Sequence, residues 1–227
     1  MNMNMFEQFL SPELLFIPTS PLSILMPYIL IYHKPKLLGN RMTTATMKLL
    51  KVFLSNMTSQ LTPKGQKWSP LLAGLLLMLL LSNLLSLLPY TFTPTSQLST
   101  NMALAVPLWL ATVIMGVKDK FSTTLAHLLP EGSPTSLIPL MILIESASQL
   151  MRPIALGVRL TANITAGHLL MTMAGSTTLS LISTYTIISP LPMILLFMLT
   201  LLELAVACIQ AYVFVLLTIL YLQEIHM

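Results

Sequence analysis

The sequence predicts an all-α integral membrane protein, and three observations carry that expectation. Hydrophobic residues fill 55% of the 227 positions and charged residues only 8%, against about a quarter charged in a soluble domain. That much polar surface cannot cover a water-soluble globule. Five apolar segments are long enough to cross about 30 Å of hydrocarbon. Runs such as Leu75-Leu76-Leu77-Met78-Leu79-Leu80-Leu81 show no polar alternation, which argues for helices over a closed barrel, the other way to satisfy backbone groups in lipid.

Taken in order, residues 1–13 form a tail with Glu7 and Glu13 but no basic residue, and 14–32 is the first expected span. The stretch 33–67 holds seven of the eleven basic residues: Lys34, Lys36, Arg41, Lys48, Lys51, Lys64 and Lys67. No Asp or Glu occurs from Leu14 through Lys118. Basic residues gathered in a loop beside spans mark the side from which a membrane protein is inserted. That placement argues against a nucleic-acid face, despite the formal net charge of +4. Within the stretch, Met42–Met57 sets Met47, Leu50, Phe53 and Leu54 against Lys48 and Lys51, the pattern of a short amphipathic helix on the membrane surface.

Spans two and three cover 70–88 and 100–117, and Lys118 and Lys120 return the chain to the insertion side. Spans four and five cover 137–173 and 187–222, placing the C-terminus on that side as well. Span four, at about 37 residues, would be ~55 Å long as a helix. It must therefore break, at Pro153 or Gly157, or lie at a tilt beyond the usual range of about 0–40°. Span five is almost as long. Two long inclined helices in succession, paired as a hairpin, suit a protein that wraps against something else.

Charge inside the membrane supplies the functional reading. The first three spans hold no Asp, Glu, Lys, Arg or His, whereas the last two hold Glu145, Arg152, Arg159, His168 and Glu203, with Asn163 and Gln210 as polar neighbours. An ionisable group at mid-membrane costs at least about 2.5–3.5 kcal/mol and generally faces protein or water on an ion path. Glu145, Arg152 and Arg159 are each seven apart and share one helix face that drifts only about 20° per heptad. Asn163 continues the stripe one turn later. His168 lies nine residues from Arg159, about 180° around the helix, which suits a water cavity behind the stripe.

Carboxylates and imidazole exchange protons when their surroundings tune them. A guanidinium does not. An arginine in a proton route is therefore a blocker or counter-ion, and a moving partner must carry protons past it. Other readings place the chain as a proton- or ion-transporting subunit of another respiratory or transporter complex, or as a structural assembly subunit. The former would need a lysine relay or a complete carboxylate relay, and no lysine lies within a span. The latter has no need of five buried ionisable groups.

Soluble enzyme chemistry has no foothold. Phosphate loop, nucleophile elbow and zinc motif are all missing from the sequence. Cys208 stands alone, so neither a disulfide nor a Cys/His metal cluster is available. Neither a cofactor nor a metal is expected. Seventeen methionines spread through apolar segments agree with an organelle's codon usage.

The run Arg159-Leu160-Thr161-Ala162-Asn163-Ile164-Thr165-Ala166-Gly167-His168 resembles the signature of subunit a of the mitochondrial F-type ATP synthase. Glu203 followed by Gln210-Ala211-Tyr212-Val213-Phe214 is similar to that family's last helix. The segments Pro107-Leu108-Trp109 and His127-Leu128-Leu129-Pro130 extend the likeness over nearly the whole chain. The resemblance implies a proton-conducting stator in the inner mitochondrial membrane, with the basic stretch on the matrix side. It implies as partners a rotor c-ring against which the last two helices lie, peripheral-stalk and other membrane-sector subunits, and protons. In this reading Arg159 attracts each rotor carboxylate and prevents a short circuit. His168 and Glu203 form the intermembrane-side inlet, and Glu145 lies on the matrix-side exit. Asn163 and Gln210 neighbour the arginine, and Arg152 is accessory. ATP chemistry then belongs to partner chains.

Overall fold

The computed structural model describes residues 9–10, 13–14, 17–31, 41–59, 65–88, 91–119, 137–184 and 190–226. Lys34, Lys36, Lys64, Lys120, His127, Glu131, Glu7 and the first residues expected of span five lie outside them. The described chain is mostly helical, with a two-residue antiparallel ladder pairing Glu13–Leu14 with Ile17–Pro18. Its helices are α1 (Thr19–Ile31), α2 (Arg41–Thr58), α3 (Ser69–Ser86), α4 (Leu98–Asp119), α5 (Ile138–Thr184) and α6 (Pro190–His226). Short 3₁₀ turns precede α3 at Gly65–Trp68 and α4 at Pro94–Ser96.

Among the described residues, four segments are long and apolar enough to cross a membrane: Gly65–Ser86, Leu98–Lys118, Ile138–Thr184 and Pro190–Gln223. This is a multi-pass membrane protein. The first expected span is shorter than anticipated. Among its described residues the helix covers Thr19–Ile31, 13 residues or about 20 Å. The chain upstream is drawn into the small ladder, and Pro18 disfavours helix in the residue before it. α1 instead packs against the buried Pro94–Ser96 turn.

α2 occupies the stretch expected to be amphipathic, with Met47, Val52 and Phe53 exposed beside Lys48 and Lys51.

α5 is one continuous helix of 47 residues, about 70 Å long. It runs unbroken through Pro153 and Gly157, so of the two alternatives, a break or a steep tilt, the break does not occur. It also outlasts the expected end at Met173 by three turns. Hydropathy falls there because Ser and Thr accumulate, but their hydroxyls donate to carbonyls of the preceding turn. Ser176 bonds Met173, Thr177 bonds Ala174, Thr178 bonds Gly175, and Ser183 bonds Ser180, at 2.7–2.9 Å. Each polar group is satisfied inside the helix that carries it. α6 begins at Pro190, a position where the missing N–H costs nothing.

Each long helix buries one stripe. On α3 it is Leu72, Leu76, Leu79, Asn83 and Ser86; on α5, Leu156, Leu160 and Ile164; on α6, Glu203, Ala207, Gln210, Ala211, Phe214, Thr218 and Leu222. The steps of three and four are those of a helix with one face inward. The remaining faces carry exposed apolar residues such as Leu143, Leu179, Leu191 and Leu202, as lipid requires. The chain divides into two compact units. One comprises Met1–Leu37, Leu75–Leu98 and Leu160–Val213, the other Leu38–Gly74, Ser99–Arg159 and Phe214–Met227.

Candidate functional site

The first unit gathers four of the polar residues singled out from sequence. Asn163 Nδ2 donates to Gln210 Oε1 at 2.8 Å, joining α5 to α6. One turn further along α5, Gly167 lies directly under Glu203, since a Cβ built there would stand 2.7 Å from Oε1. The two contacts step in opposite directions along the two helices, the register of an antiparallel pair. A side chain at 167 would have to displace the Glu203 carboxylate, the far end of a flexible side chain.

Glu203 is 8% exposed, and its Oε2 has no hydrogen-bond partner among the described residues. A buried carboxylate on an apolar helix is costly, so its retention speaks for a task other than packing. His168, the residue after Gly167, is half-buried. Its ring meets the edge of Phe9 at 6.5 Å and 80°, and Nε2 is likewise without a hydrogen-bond partner among the described residues. An imidazole nitrogen and a carboxylate oxygen are both groups able to exchange protons.

Asn83 is fully buried and donates Nδ2 to the backbone oxygen of Ala207 at 3.3 Å. This ties α3 to α6 one turn beyond Glu203. Hydrogen bonds of this kind hold membrane helices where the hydrophobic effect cannot.

The second unit places the arginines differently. Arg152 is half-buried, with its guanidinium 5.1 Å from the centroid of the Tyr221 ring. Tyr221 is a contact that sequence reasoning did not find. Arg159, seven residues later on the same stripe, is exposed on the surface of the chain. Glu145 is half-buried on the same helix. Gly157 lies against Met102 of α4, where a Cβ would stand 2.6 Å from Sδ. Among the described residues no group of three or more His, Cys, Asp or Glu could hold a metal ion.

A profile of the ATP synthase A chain matches residues 15–223. The chain belongs to the ATP synthase A chain family. Among curated relatives, the ATP synthase F(0) complex subunit a of Lycodon semicarinatus is 70% identical over 224 residues, covering 99% of both chains. Those of Struthio camelus and Xenopus laevis are each 54% identical, again over 99% of both chains. The run from Arg159 to His168 and the helix carrying Glu203 and Gln210 both fall inside the span matched to the A chain family.

Proposed function

We propose that this chain is the proton-conducting static subunit of the ATP synthase membrane sector, working in the inner mitochondrial membrane against a rotating c-ring. The single observation that carries the mechanism is the exposure of Arg159 in mid-course of a helix long enough to span a bilayer. A guanidinium there cannot face hydrocarbon without a cost of at least about 2.5–3.5 kcal/mol. Its partner is therefore an anion on a neighbouring protein, and one that moves, because arginine itself cannot relay a proton.

The other groups act, in this reading, along two offset half-channels. On the intermembrane side, His168 and Glu203 deliver a proton to a rotor carboxylate. After nearly a full turn of the ring the carboxylate gives up its proton towards Glu145 on the matrix side. It then passes Arg159 in its ionised form. The positive charge keeps protons from crossing directly between the half-channels, so net flow turns the ring, driven by about 2.3 kcal/mol per charge per 100 mV. Asn163 and Gln210, bonded to each other, steady the helix pair one turn from Arg159.

In this reading five segments are embedded in the membrane, α1 being the shortest, and α2 lies on the matrix-side surface. α5 and α6 form a steeply inclined hairpin along the ring, since about 70 Å of unbroken helix cannot stand upright in about 30 Å of hydrocarbon. Peripheral-stalk and other membrane-sector subunits hold the chain still, and ATP is made in partner chains.

Arg159→Ala tests the proposal in vesicles carrying the assembled membrane sector and its catalytic partner. Coupled ATP synthesis should be abolished while the sector still assembles, and passive proton flux should rise above the parental level. Normal synthesis by this variant would overturn the mechanism and leave the chain as an assembly subunit whose buried charges serve packing.

A further inference from the structure

Arg152 and Arg159 pose a problem of specificity. They are seven residues apart on one helix, about 10 Å along the axis and only about 20° around it. Sequence periodicity alone would present both guanidinium groups to whatever lies against that face. Yet Arg159 is exposed and Arg152 is half-buried, its charge stacked 5.1 Å from the ring centroid of Tyr221. Tyr221 comes from α6, and both residues belong to the second compact unit.

We propose that Tyr221 is a positioning residue that draws Arg152 off the shared stripe, leaving Arg159 as the guanidinium offered along it. The inference rests on the reading of Arg159 as the cation met by rotor carboxylates. A passing carboxylate that met two exposed guanidinium groups about 10 Å apart would find two attractive positions instead of one. It would leave the second slowly, and the ring would stall there. Because guanidinium does not release a proton, the extra cation would slow turnover without opening a leak. An aromatic face suits the holding task. It attracts the cation through its quadrupole, leaves the charge in place and needs no second ionisable group in the membrane.

The test compares Tyr221→Leu, Tyr221→Phe, the double variant Tyr221→Leu with Arg152→Gln, and Arg159→Ala. Maximal ATP synthesis and passive proton leak are measured on assembled sectors in vesicles. A partly desolvated cation–π contact corresponds to roughly a three- to thirtyfold preference for the stacked position. Tyr221→Leu should therefore lower maximal synthesis by a factor in that range, with the leak unchanged. Tyr221→Phe keeps the ring face and should match the parent. The double variant removes the released cation and should recover most of the lost rate.

Parental synthesis by Tyr221→Leu overturns the inference. So does equal impairment by Tyr221→Phe, which would assign the task to the hydroxyl, or a double variant no better than Tyr221→Leu, which would assign it to packing. Should Tyr221→Leu fail to assemble, Tyr221→Met takes its place in the same comparisons, filling similar space without a ring. Arg159→Ala separates the two levels of argument. Retained synthesis there removes the underlying mechanism, whereas lost synthesis there with normal Tyr221→Leu removes only the role of Tyr221.

Discussion

One added methyl group at Gly167 tests whether the position of Glu203 matters more than its presence. In Gly167→Ala the new carbon would stand 2.7 Å from Oε1, 3.1 Å from Cδ and 3.3 Å from Cγ of Glu203. Ordinary contact begins near 3.4 Å, so the carboxylate must retreat by about 0.7 Å, or the helices must part. The obstructing atoms are the end of a flexible side chain, which keeps the stability cost at the low end of overpacking, about 1 kcal/mol. The functional cost is larger, because a misplacement of about 1 Å in a reacting group can cost about 100-fold.

The expectation is an assembled sector whose ATP synthesis falls by roughly 10- to 100-fold, with passive proton leak unchanged because Arg159 is intact. Gly175→Ala is the control. It adds the same methyl to the same helix eight residues on, where nothing among the described residues lies within 4 Å, and should synthesise at the parental rate. Gly167→Ala combined with Glu203→Asp shortens the obstructing side chain and should recover part of the loss. If Gly167→Ala behaves like Gly175→Ala, the placement of Glu203 over residue 167 is irrelevant to proton delivery and the reasoning fails.

Two further substitutions address the helix contacts themselves. Gly157→Ala would bring its Cβ to 2.6 Å from Met102 Sδ. Methionine yields readily, so a loss of about 1 kcal/mol in detergent or thermal unfolding is expected, relieved when Met102→Ala is added. For Asn163 and Gln210, a double-mutant cycle with Asn163→Leu and Gln210→Leu should give a coupling of about 0.6–1.7 kcal/mol in unfolding from detergent micelles. A coupling near zero would mean that the 2.8 Å bond holds nothing together.

Much of the fold was legible because hydropathy and helical period are properties of neighbouring residues. The long apolar runs named the crossing helices, and the helical spacing of Met47, Leu50, Phe53 and Leu54 named the helix at Arg41–Thr58. The misreadings share a cause. Apolarity ends span four near Met173 and leaves open a break at Pro153 or Gly157 as the alternative to a steep tilt, because hydroxyls lower hydropathy and proline and glycine lower helix propensity. In the folded chain those hydroxyls are bonded to their own helix, as Thr177 is to Ala174, and the helix continues to Thr184. The first span was read from apolarity alone, which cannot see that Ile17–Pro18 pairs with Glu13–Leu14 rather than coiling.

The sequence by itself determined the membrane class, the family signature and the stripe of Glu145, Arg152, Arg159 and Asn163, since a helix turns by a fixed angle per residue. Only the tertiary structure decided what each of those groups meets. Asn163 and Gln210 are 47 positions apart, and Gly167 with Glu203, or Arg152 with Tyr221, are separated comparably. No local period relates them. They meet because helix packs against helix within each compact unit, which leaves Glu203 over a glycine in the first and, in the second, Arg152 on an aromatic ring and Arg159 exposed at the surface.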